Sequence, residues 1–201
     1  MGACHLSTGD VVRAAHSRGG CEQSPAMAAA LDSMSRGELV ADNTVWELVR
    51  ERSACICCQG GFLLDGFPRT LAQAERLQQL LSREKVPLDA VVNYELPLDE
   101  IVRRLSGRRT CEQCKAVFHV SEQSPKSEGI CDHCSTKLFQ RDDDRPEAIT
   151  VRMMAYEQNT APLIDYYRGL GLLVSVQAKG SPKQICDRTR GALDARIPRS
   201  A

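Results

Sequence analysis

Three observations predict an α/β fold with a parallel sheet and an inserted metal-binding flap. Short apolar runs alternate with helical patterns along the chain. The stretch 108–141 breaks that rhythm and carries two Cys-x-x-Cys knuckles. The segment Asp65-Gly66-Phe67-Pro68-Arg69-Thr70 joins an apolar run to a helical pattern through a turn bearing a carboxylate and a guanidinium. Ligands of parallel sheets bind at the carboxyl ends of strands, and Arg grips phosphate in two-point geometry. The turn therefore reads as a phosphate-handling edge.

The apolar runs of strand length lie at 61–64, 90–96 and 172–176. Leu71, Ala74, Leu77 and Leu81 share one helical face. Val45, Leu48 and Val49 do the same, with Asp42 or Asn43 expected as N-cap. Helical patterns also cover 97–105, 146–167 and 182–193, and the tail after Ile197 reads as frayed. Asp144-Arg145-Pro146-Glu147 has the form of a capping box with Pro in the first turn.

Composition narrows the function classes. The 201 residues suffice for one sizeable core with an inserted module. Lys plus Arg and Asp plus Glu each number 26, so the net charge is zero, which argues against a general nucleic-acid or membrane-surface binder. At 4 % aromatic residues, stacking platforms for single strands are not expected. No apolar stretch has the length of a membrane span, and 1–10 lacks the apolar run of a signal peptide. The ten cysteines are then expected to be metal ligands and reduced thiols.

Cys111, Cys114, Cys131 and Cys134 form two knuckles separated by sixteen residues. Two-residue spacing lets both thiolates of a knuckle reach one ion, and four thiolates close a tetrahedron around Zn²⁺. The alternatives are reduced, metal-free knuckles or two disulfides. His119 and His133 could substitute as ligands, but with four Cys present they read as polar neighbours. A closed site leaves no position for chemistry, so the metal is expected to brace the flap. Cys55-Ile56-Cys57-Cys58 has no matching second pair of knuckles and reads as buried thiols. Arginines stand on both shoulders of the flap: Arg103, Arg104, Arg108 and Arg109 before it, Arg141 and Arg152 after it. Phosphoryl transfer needs such positioned cations more than a nucleophile; for any one Arg the alternative is a solvated helix face.

From His5 to about Leu193 the chain resembles adenylate kinase of the longer form with a zinc-bearing lid. The resemblance rests on Leu6-Ser7-Thr8-Gly9-Asp10 with Arg13, Gly37-Glu38-Leu39-Val40-Ala41-Asp42, the 65–70 turn with Gln73, Gly107-Arg108-Arg109, and Arg141-Asp142-Asp143-Asp144. It implies a nucleoside monophosphate kinase-like fold of the P-loop class. Residues 1–6, 41–106 and 145–201 would form the core, 7–40 the AMP-binding segment and 107–144 the zinc lid. By the same resemblance Thr8, Arg13, Glu38, Leu39, Val40, Gly66, Phe67, Pro68, Arg69, Gln73, Arg141 and Arg152 contact AMP, with Arg13 and Arg69 on its phosphate and Gln73 on the adenine edge. Thr70-x-x-Gln73 is also a capping box. Asp65 would hold Mg²⁺ through water, and Arg104, Arg108, Val117, Phe118 and Gly180 would serve ATP. Arg108, Arg141 and Arg152, with Asp65, would carry the transfer step. The implied reaction is ATP + AMP = 2 ADP, in a monomeric, cytoplasmic protein.

One departure stands out. The family's opening strand and its loop Gly-x-Pro-Gly-x-Gly-Lys-Gly-Thr have no counterpart in this sequence. That strand lies inside the family's sheet, so its neighbours would lose ladder partners. The expectation is that Met1 is an internal or mis-assigned start and that the full protein carries the loop. The competing readings are an AMP-binding remnant without turnover and a kinase of another nucleoside monophosphate. A smaller departure is a lengthened 18–30 stretch with Gly19, Gly20 and Pro25.

Overall fold

A computed structural model describes residues 4–9, 25–51 and 61–197. Among the described residues four parallel strands occur as two pairs. β1 (Cys4–Ser7) lies beside β2 (Phe62–Asp65), with Leu6 opposite Leu64 and Ser7 opposite Asp65. β3 (Val91–Glu95) lies beside β7 (Leu173–Gln177), with Val92 opposite Val174. Between them in sequence stand β4 (Arg108–Cys111), β5 (Val117–His119) and β6 (Leu138–Phe139), which form a separate antiparallel sheet in the order β5-β4-β6. Among the described residues β2 and β3 do not pair, so the parallel strands form two two-stranded sheets.

The helices are α1 (Pro25–Ser35), α2 (Asp42–Glu51), α3 (Leu71–Glu84), α4 (Leu98–Ser106), α5 (Pro146–Ala155), α6 (Pro162–Gly169) and α7 (Pro182–Arg196). α3 serves both strand pairs. Its Leu77, Leu80 and Leu81 pack with Val49 and Phe67 against Phe62 and Leu64 of β2. Its Ala74 packs with Leu163 and Tyr167 against Val91 and Leu173. Leu88 touches both clusters. Three of the four apolar positions expected on one face of α3 are buried (Ala74, Leu77 and Leu81), whereas Leu71 at its start is 42 % exposed. An apolar cavity of about 450 Å³, lined by Leu77, Leu81, Val86 and Tyr167 among others, lies beside α3 and α6 and holds none of the predicted site residues.

The helix boundaries depart from expectation in four places. α2 begins at Asp42 itself, so neither Asp42 nor Asn43 is its N-cap. The 146–167 pattern is broken by a π-helical turn, Tyr156–Thr160, which separates α5 from α6. Arg145, without a side-chain bond, occupies the N-cap of α5, and the Asp144–Glu147 capping box does not form. Asp144 closes a 3₁₀ turn, Asp142–Asp144, and its carboxylate is taken by Arg108. The Thr70 box forms by half. Thr70 Oγ1 accepts from Gln73 N at 3.2 Å, but the Gln73 side chain returns to Arg69 N, one residue before the cap.

Among the described residues α7 is the one helix with a complete capping box: Ser181 Oγ accepts from Gln184 N, and Gln184 Oε1 accepts from Ser181 N at 2.9 Å. Gly37, buried with φ +79°, ends the α1 turn against the carbonyl of Ala148. A Cβ there would collide with that backbone, so only Gly lets the 25–40 segment seat on α5. Among the described residues no helix is long and apolar enough to cross a membrane. Arg13, Cys21, Cys55, Cys57 and Cys58, and most of the lengthened 18–30 stretch, lie outside the described residues.

Candidate active site and metal centre

The parallel register brings the ends of β1 and β2 together. Thr8, 7 % exposed just past β1, donates from Oγ1 to the Gly66 carbonyl at 3.1 Å. Arg69 Nε donates to the same carbonyl at 2.9 Å. Gly66 takes φ +71°, and a Cβ on it would crowd the Arg69 guanidinium at 3.0 Å and Thr8 Oγ1 at 3.2 Å. Glycine here lets a cation lie flat over the turn. The Phe67–Pro68 peptide is cis. Phe67 is a core residue, 5 % exposed, with its ring centroid 6.5 Å from that of Trp46. Asp65 keeps an open carboxylate, 63 % exposed, with His5 Nε2 3.8 Å away.

Behind the turn, Gln73 is 3 % exposed. Its Oε1 accepts from Arg69 N at 2.7 Å, and its Nε2 donates to Asp42 Oδ1 at 2.6 Å. Thr70 Oγ1 donates to the other carboxylate oxygen of Asp42 at 3.1 Å. The π-helical turn joins in: Thr160 Oγ1 donates to the Arg69 carbonyl at 2.9 Å. The bonds of Asp42 and Thr160 to this region were not legible in the sequence because their partners lie 31 and 91 residues away. Leu39 and Val40 are half-buried between α1 and α2. Glu38 is exposed, and the hydrogen bond from Arg36 holds its carboxyl below the usual range.

At the base of the flap, Arg108 grips Asp144 with two bonds, Nε to Oδ2 at 2.8 Å and Nη2 to Oδ1 at 2.6 Å. Asp144 is 0 % exposed. Arg141 Nε donates to the buried Thr110 hydroxyl at 3.0 Å, and Arg152 lies 3.9 Å from Asp143. Gln140 Nε2 ties the carbonyls of Ser106 and Asp144. The start and end of the flap are thus clasped to each other. Arg104 is elsewhere: it donates to the carbonyls of Ala178 at 2.9 Å and Gly180 at 3.2 Å, which brings two predicted residues together at the end of β7. Val117 is exposed, while Phe118 is buried among Cys111, Cys131 and Leu138.

The sulfurs of Cys111, Cys114, Cys131 and Cys134 lie within 4.8 Å of one another, a group of four donors that could hold one metal ion. Cys111 and Cys134 sulfurs are 3.3 Å apart, and those of Cys114 and Cys131 3.4 Å. A tetrahedron of thiolates at zinc–sulfur bond lengths has edges of about 3.8 Å, so the cluster fits with small adjustment. The thiols perturb one another. For Cys114 the Ala116 N–H favours the thiolate, but desolvation and the other three sulfurs oppose it and push the group up to about 12. Cys134 is drawn down to about 6 by the Thr136 hydroxyl and backbone and by Cys111. A cation among sulfurs at this spacing would favour the thiolate form that metal binding needs. Cys4 and Cys186 lie outside this group.

Removing Arg108 tests the clasp. Arg108→Ala leaves the Asp144 carboxylate buried and unpaired, and should cost about 3 kcal/mol, roughly 6–12 °C in a thermal melt. Arg145→Ala breaks an exposed pair with Asp142 and should shift stability by less than about 0.5 kcal/mol. Equal effects from the two would contradict the burial described for Asp144.

The family model described as adenylate kinase matches residues 1–172. An adenylate kinase of Carboxydothermus hydrogenoformans is 44 % identical over 193 residues, covering 96 % of this chain and 88 % of its own. One of Thermodesulfovibrio yellowstonii is 46 % identical over 184 residues, covering 92 % and 84 %. One of Archaeoglobus fulgidus is 45 % identical over 175 residues, covering 87 % and 79 %.

Proposed function

Because the chain belongs to the adenylate kinase family, we propose that the 65–70 turn is the AMP side of a site for ATP + AMP = 2 ADP. The observation that carries this is the Gly66 carbonyl, on which Thr8 and Arg69 converge at the ends of two parallel strands. Arg69 and Arg13 would hold the AMP phosphate, the 38–40 backbone and Gly66–Arg69 would surround the nucleoside, and Gln73 would read the base. On the other side Arg104 and Gly180 would frame the ATP base beside Val117 and Phe118.

In the transfer, an AMP phosphate oxygen attacks the γ-phosphorus of ATP as the bond to the leaving ADP oxygen breaks. Arg108, Arg141 and Arg152 would offset charge on the transferring group. Each is now held by Asp144, Thr110 or Asp143. Phosphate would draw the cations from those partners, coupling nucleotide arrival to lid closure. The open carboxylate of Asp65 suits a water-bridged Mg²⁺, which when bound neutralises phosphate oxygens. The four lid cysteines suit Zn²⁺, which would brace the lid and take no part in the chemistry.

A coupled ADP assay with AMP, CMP and UMP as acceptors tests the reaction. AMP should be the preferred acceptor, and Arg69→Ala should raise KM for AMP about 10- to 100-fold with KM for ATP nearly unchanged. A form carrying the Gly-rich loop should turn over at least ~100-fold faster than residues 1–201. Preference for CMP or UMP, or no ADP from either form, would overturn the proposal. For the lid, elemental analysis should find one zinc per chain, lost together with lid stability in Cys111→Ser. Metal-free protein with an unchanged melt would contradict it.

A further inference from the structure

The Asp42 carboxylate does no capping, sits at the start of α2, and spends both oxygens on residues 28 and 31 positions away. We propose that Asp42 is a positioning residue that locks the polarity of the Gln73 amide, and thereby selects a 6-aminopurine over a 6-oxopurine nucleotide. The inference rests on the proposed role of Gln73 at the AMP base.

A primary amide has two ends of opposite character, and the base reads whichever way they point. Two independent groups set that direction here. Arg69 N–H can only donate, and it meets Oε1 at 2.7 Å. The Asp42 carboxylate can only accept, and it meets Nε2 at 2.6 Å. A flipped amide would set N–H against N–H at the turn and oxygen against carboxylate at α2. Gln73 is 3 % exposed, so water cannot relieve either mismatch. Thr70 Oγ1 donates to the second oxygen of Asp42 and so fixes the carboxylate in turn.

Each end of the locked amide keeps one unused valence, a lone pair on Oε1 and a hydrogen on Nε2. Adenine offers the complement on adjacent atoms, a donor at N6 and an acceptor at N1. Hypoxanthine and guanine offer the reverse, an acceptor at O6 and a donor at N1. A site whose buried amide cannot turn over therefore rejects the oxo bases. Asn at position 42 would undo half the lock. Its oxygen can still accept from Thr70 while its NH₂ donates to a flipped Gln73 oxygen.

The test is equilibrium titration of wild type, Asp42→Asn, Asp42→Glu and Thr70→Ala with AMP and IMP. The readout is fluorescence of Trp46, the single tryptophan, whose ring centroid lies 6.5 Å from that of Phe67. Wild type should prefer AMP, and D42N should lower the AMP-to-IMP preference at least ~10-fold. D42E, which keeps the acceptor, should restore most of the preference. T70A, which loses the N-cap and the bond to the second carboxylate oxygen, should melt lower and lower the preference less than D42N does. If D42N does not fold, Asp42→Ser is expected to show the same fall. Equal weakening of AMP and IMP in the position-42 variants would reduce Asp42 to a structural role and overturn the lock while leaving the AMP site standing. A wild-type chain that binds neither nucleotide removes the base-reading role, and the lock falls with it.

Discussion

The 65–73 region depends on one buried side-chain amide. Gln73 sits on the first turn of α3, and an interior amide must have both ends bonded or cost the fold dearly. α2 supplies the acceptor through Asp42, and the 65–70 turn supplies the donor through Arg69 N. Two helices and a turn are thereby fixed relative to one another by a single planar group. Because Arg69 N is in that network, the Arg69 guanidinium leaves the turn in a set direction and lies over Gly66. Thr160 adds a further strut, which ties the turn to the irregular helical segment after α5.

The flap is built on the opposite principle. Its apolar cluster of Cys111, Phe118, Cys131 and Leu138 is too small to hold a sheet by burial alone. Four sulfurs stand close enough to share one metal ion, and Arg108 meets the fully buried Asp144 at the base of the flap. Such an arrangement lets the flap move as a rigid piece. In the proposed reaction a metal at the four sulfurs would order the flap, while its attachment would rest on cations that phosphate recruits. Rigid flap and exchangeable hinge suit an enzyme that must exclude water from a transferring phosphoryl group and then release its products.

Local chemistry was legible in the sequence, and distant pairing was not. The Cys-x-x-Cys spacing located the four sulfurs because two-residue knuckles place both thiolates on one ion whatever the surrounding fold. The face of α3 was legible because Ala74, Leu77 and Leu81 repeat at helical spacing. The 65–70 turn was legible because Gly and Pro punctuate strand-to-helix junctions. Asp42 and Asp144 were each read as local helix starts. Acidic residues before a helix are usually caps, but both carboxylates are claimed by partners 31 and 36 residues away. The split of the parallel strands into two pairs also has no local signal, since it depends on which edges meet across α3.

The reading of the 65–73 region as a monophosphate site can be examined without turnover. Hydrogen–deuterium exchange, followed by mass spectrometry, should be compared with and without AMP alone. Exchange is predicted to slow in 25–51 and 61–85, where Glu38, Asp42, Gly66, Arg69 and Gln73 lie, and to stay unchanged in 107–144. Protection confined to the flap, with none in the turn, would contradict it.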